Sequence, residues 1–67
     1  MNTGEERVLS ELQSALDALA KASEHLERAS LESTASGVSQ NVAGARGLLK
    51  ELQQEVSYLI HLTRSEG

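Results

Sequence analysis

Cysteine, proline, tryptophan and phenylalanine are absent from this chain, and Tyr58 is its one aromatic residue. Without cysteine there is neither a disulfide framework nor a thiolate metal site. Without Phe or Trp, a core has to be built from Leu, Val, Ile and Ala, which suits closely packed helices. Long apolar runs are missing as well. No stretch approaches the roughly 20 apolar residues of a membrane span, and the opening MNTGEERVLSEL lacks the apolar region of a signal peptide. A soluble, cytoplasmic protein is expected. Positive charge is sparse, with six Lys and Arg against ten Asp and Glu and a net charge of −4. The basic residues Arg7, Lys21, Arg28, Arg46, Lys50 and Arg64 are scattered, which argues against nucleic-acid binding through the phosphate backbone. At 67 residues the chain is at most one small domain, close to the lower limit for burying an adequate core alone.

What is present is a helical pattern, twice. TGEE reads as a capping box, with Thr3 and Glu6 satisfying each other's backbone amides and Glu5 and Glu6 against the positive helix start. Leu9, Leu12, Leu16, Leu19 and Leu26 then follow at alternating spacings of three and four, with Ser23 in the gap, and Val8, Ala15, Ala22 and Ala29 form a flanking row at steps of seven. A strand would alternate at every second residue, and this segment does not. Asp17 with Lys21, and Glu24 with Arg28, are favourable i,i+4 pairs on the outer face.

The pattern breaks in SLESTASGVSQN, where Gly37 suits the positive φ of a helix C-cap and Ser36 or Ser39 suits the cap of the next helix. A second heptad follows through Val38, Val42, Ala45, Leu49, Leu52, Val56, Leu59 and Thr63. Gly44 and Gly47 weaken its start by about 1 kcal/mol each relative to Ala. They are read as sites of close helix packing or of a frayed first turn. The chain is therefore expected to be all-α: a single antiparallel helical hairpin over residues 1–67, with a helix from about 4 to 32, a turn from about 33 to 37 and a helix from about 38 to 64. Leu16, Leu19, Leu52 and Val56 are expected between the helices.

Two helices share only one seam, and each helix here carries more apolar surface than one seam uses. The first has its alanine row; the second has Leu48, Tyr58, Ile60 and Leu62 outside the heptad positions. The expectation is that a partner chain completes a helical bundle, with Ala15, Ala22, Ala29, Leu48, Tyr58, Ile60 and Leu62 as interface residues. The partner is either another helical protein or a second copy, giving a homodimeric four-helix bundle with a regulatory or structural role.

Chemistry is hard to place on this pattern. His25 lies mid-helix on the outer face, and in the hairpin register His61 is ~21 Å away along the axis at 1.5 Å per residue, so the two do not share a metal. No serine sits in a nucleophile elbow. Gly44 and Gly47 do not follow a strand, so they are not a phosphate loop. The carboxylates of Glu11, Asp17, Glu24, Glu27, Glu51 and Glu55 read as a solvated face. No catalytic, cofactor or metal site is expected.

Two resemblances accompany this reading. LLKELQQEVSYLIHLTRSEG resembles the second helix of a histidine-kinase dimerisation domain. That family's phosphoacceptor motif has an acid directly after the histidine and a proline soon after. Here Leu26 follows His25 and there is no proline, so the phosphotransfer role does not carry over from the resemblance; a phosphotransfer-type dimerisation domain using His25 is the third reading, behind the interaction module and the homodimeric bundle. In size and layout the whole chain resembles the small hairpin co-chaperones of type III secretion needle subunits, with LQSALDALAK and LIHLTRSEG matching their texture of apolar heptads and a short polar tail. The tyrosine of that family early in the second helix is missing from GVSQNVAGARG. The resemblance implies a co-chaperone role, as a heterodimer with a helical-repeat chaperone.

Overall fold

A computed structural model describes residues 3–66, with the side chain of Thr3 outside the description. Two helices make up the fold: α1 spans Thr3–Glu32 and α2 spans Ser36–Glu66. They run antiparallel, and their long axis gives a rod of 51 × 15 × 10 Å. Its radius of gyration is 15.5 Å, against about 11 Å for a compact domain of this length. The all-α hairpin is thus established. The capping box expected at Thr3 and Glu6 needs the Thr3 side chain, and so lies outside the described residues.

The connection is tighter than the expected 33–37. α1 carries on to Ser33, whose amide donates to the Ala29 carbonyl at 3.0 Å, and α2 begins at once. Among the described residues no glycine has a positive φ, so Gly37 is no C-cap and belongs to the first turn of α2. The capping role does not fall to Ser36 or Ser39 either. The Ala35 carbonyl accepts from the amides of Val38 and Ser39 at 3.1 and 3.5 Å, which makes Ala35 the N-cap residue. The Ser33 hydroxyl accepts from the Ala35 amide at 3.1 Å and steadies the corner. Alanine offers no side-chain acceptor at a cap, and the first turn of α2 holds no acidic residue. Ala35→Asp should therefore raise stability by about 1 kcal/mol, read as a higher urea midpoint at unchanged slope.

Gly44 and Gly47 do not mark close packing. A Cβ built on either meets nothing within 4 Å, and neither has a positive φ. Both only loosen α2. Gly44→Ala should stabilise by about 1 kcal/mol, measured by thermal denaturation; a fall in stability would mean that another backbone approaches this face.

The seam of α1 is the one its leucines mark. Leu9, Leu12, Leu16, Leu19, Ser23 and Leu26 are all half-buried against α2. The seam of α2 is rotated from the heptad reading. Val42, at 9 % exposure, and Ile60, at 8 %, are the buried core. They are joined by the half-buried Ala45, Leu49, Gln53, Val56 and Thr63. Val42 and Ile60 stand 18 residues apart, five whole turns of a straight helix at 3.6 residues per turn, so they share one azimuth. A strict heptad drifts ~20° per repeat from that line, enough over this length to exchange Leu59 for Ile60. Two expectations are corrected. Ile60 packs inside the hairpin, where an outward interface position was expected. Leu52, expected in the seam, is 50 % exposed, and Val38 and Leu59 are exposed with it.

Candidate functional site

The rotation of α2 sorts the hairpin into two unlike sides. On one side, Arg46 reaches across to α1. Its Nε donates to the Ser23 hydroxyl at 3.4 Å, and its guanidinium lies 3.8 Å from the Glu27 carboxylate. Both ionic partners are about half exposed, so this pair contributes at most about 1 kcal/mol. This pair is closed within 4 Å, whereas the expected Asp17–Lys21 and Glu24–Arg28 pairs are not. Ser30, Ser39, Gln13, Ser57 and Arg64 continue the same polar side.

The opposite side is apolar. Ala22, His25 and Leu26 of α1 and Ala45, Leu48, Leu49 and Leu52 of α2 line an open groove of about 570 Å³. Leu48 is 63 % exposed within it. Through Ala45 the groove continues into a second one, of about 540 Å³, that Val38 and Val42 flank near the turn. Further from the turn the same row of α2 reaches Leu59, seven residues beyond Leu52, and the alanine row of α1 reaches Ala15, seven before Ala22. The face therefore combines a row on α1 that is small at Ala15, Ala22 and Ala29 and starts at Val8 with a row on α2 that is bulky at Val38, Leu52 and Leu59 and small at Ala45, edged by Leu48.

Of the residues expected at an interface, Ala15, Ala29, Leu48 and Tyr58 are exposed, Ala22 and Leu62 are half-buried, and Ile60 is buried in the seam. The groove draws together Ala22 and Leu48; Tyr58 stands further round α2, on its outer surface. Sequence reasoning missed Leu52, Leu59 and Val38 as members of the open face, because it assigned their row to the seam. The 18-residue spacing of Val42 and Ile60 was the signal that would have released them.

Little else on the molecule gathers chemistry. His25 borders the apolar groove, while His61 is exposed on α2. Among the described residues no three metal-binding side chains stand together, no buried side-chain polar atom lacks a partner, and no helix is long and apolar enough to cross a membrane. No protein-family model matches this chain, and neither a curated protein nor a solved structure is significantly similar to it.

Proposed function

We propose that the protein is a non-enzymatic interaction module, a helical hairpin whose apolar face receives further helices. One observation carries this reading. Two rows of α2 compete for the seam beside the shared positions Val42, Leu49, Val56 and Thr63. One is Val38, Ala45, Leu52 and Leu59; the other is Ser39, Arg46, Gln53 and Ile60. The hairpin turns Ser39, Gln53 and Ile60 inward and leaves Val38, Leu52 and Leu59 exposed at its open side, with Ala45 half-buried and Arg46 exposed at the two edges of the seam. For a chain that stays alone this forfeits burial worth about 25 cal/mol per Å². For a chain whose open side is covered, both rows are used. Acting as a co-chaperone beside a helical-repeat partner, the role implied by the layout resemblance, would engage this same face.

The reading is tested by unfolding at different protein concentrations. With Val42 and Ile60 alone buried among the described residues, the dilute single chain should show weak, non-cooperative helix loss. A sharp transition should appear only once the face is covered, since a partner that binds the folded form alone stabilises it. A dilute monomer that unfolds cooperatively, at a midpoint independent of concentration, would overturn it.

A further inference from the structure

We infer that the occupant of this face is a second copy of the chain, related by a two-fold axis parallel to the helices, so that both turns lie at one end of a four-helix bundle. The inference rests on the interaction-module reading and specifies its partner.

Area sets the scale. The chain exposes 5072 Å², whereas a folded monomer of its mass exposes about 4,100 Å². The difference of about 950 Å² is close to the ~800 Å² that each partner loses in an interface of standard size. A single second hairpin laid along the rod is enough to remove it.

Size complementarity favours an identical hairpin. A two-fold interface has to be complementary to itself, and this face is. Ala22 is level with Leu48 and Leu52 across one groove. Because the helices are antiparallel, Ala15 is level with Leu59 one heptad further along. Each of these layers holds one small and one bulky side chain, side by side. An axis along the rod exchanges α1 and α2 across the interface without changing height. Leu52 of each copy then meets Ala22 of the other, and Leu59 meets Ala15. An axis across the rod would instead set alanine row on alanine row and leucine row on leucine row.

Charge favours the same choice. Glu51 and Glu55 are exposed near the midpoint of α2, on its outward side beyond Leu48 and Leu52. With the axis along the rod, the two α2 helices lie diagonally across the bundle and their carboxylates stay apart. With the axis across the rod, α2 runs antiparallel to its own copy. The carboxylates near its midpoint then confront each other, which is destabilising.

The test uses the full chain with a single spin label. The sequence has no cysteine, so Thr34→Cys, in the exposed connection, gives one labelling site away from the face. Sedimentation equilibrium gives the mass, and pulsed dipolar spectroscopy gives the label-to-label distance. The expected result is twice the 7.2 kDa chain mass, with the labels within roughly 25 Å, the span of two neighbouring helix pairs. A dimer whose labels are separated by a distance near the 51 Å length of the rod would overturn the arrangement. A weakly helical monomer at every concentration, ordered only when a different protein is added, would overturn the second copy while leaving the interaction module standing. A cooperatively folded monomer would overturn both.

Discussion

Ile60→Ala should lower the melting temperature by about 10–20 °C, if a cooperative transition survives at all. Among the described residues Ile60 is the least exposed, at 8 %. It lies between Leu16 and Gln13 of α1 and Ser57 and Arg64 of α2. Truncating a buried Ile to Ala removes about 2–5 kcal/mol, and the lower half of that range applies because the site opens to solvent on its Arg64 side and can partly refill with water. Even about 2–3 kcal/mol is most of the ~3–5 kcal/mol that a chain of this size holds. One kcal/mol shifts the midpoint of such a domain by about 4–8 °C. Ile60→Val, which keeps the β-branch and most of the volume, should cost only about 0.5–1.5 kcal/mol. Circular dichroism at one fixed concentration reads both. An Ile60→Ala protein melting within about 2 °C of the parent would return Leu59 to the seam.

The second large effect concerns the open face. Leu48→Ser combined with Leu52→Ser should weaken association by about 100-fold or more. Fully covering a leucine is worth about 1.5–3 kcal/mol, and each 1.4 kcal/mol is tenfold in affinity. Both side chains project from the hairpin, so their loss removes little from the seam itself. Serine is also a poorer helix former than leucine, by a few tenths of a kcal/mol. A control of matched kind is Ala20→Ser with Ala43→Ser, two exposed positions on the polar side. Those changes carry a similar helix penalty and should leave association within about threefold of the parent. Sedimentation at a series of concentrations separates the two variants; equal losses in both would show that helix propensity, and not the face, governs association.

The parts of this architecture that were legible in the sequence share one property: a single row of residues decides them. Leu9, Leu12, Leu16, Leu19 and Leu26 keep one unbroken stripe, and α1 buries that stripe. The break at SLESTASGVSQN gives the turn, to within two residues. In α2 two adjacent rows compete, and the outcome depends on packing against α1. Leu59 and Ile60 are neighbours in sequence and about 100° apart on the helix, so a small rotation exchanges them. Arg46 helps to hold the rotated state by reaching Ser23 and Glu27. That interaction joins residues more than five turns of sequence apart, and no local pattern announces it. The open face was illegible for the same reason, because it consists of the row that lost.

Gly37 and Ala35 illustrate a second limit. A glycine after a helical pattern usually marks a left-handed cap. Here the chain turns in three residues by using the Ser33 hydroxyl on the Ala35 amide, and Gly37 is absorbed into α2. Serines in a run such as SLESTASGVSQN offer several capping partners, and which of them engages depends on how closely the two helices have to approach.

The central claim is that the side bearing Leu48, Leu52 and Leu59 is covered when the protein is folded. Solvent paramagnetic relaxation enhancement of assigned leucine methyl groups tests it most directly, because the molecule supplies both references. Leu31, 79 % exposed beside the turn, reports open solvent, and Leu16 in the seam reports shelter. The account predicts that the methyl groups of Leu52 and Leu59 in the folded protein are shielded like those of Leu16. Enhancement of Leu52 and Leu59 as strong as that of Leu31, in protein that is fully helical, would contradict it.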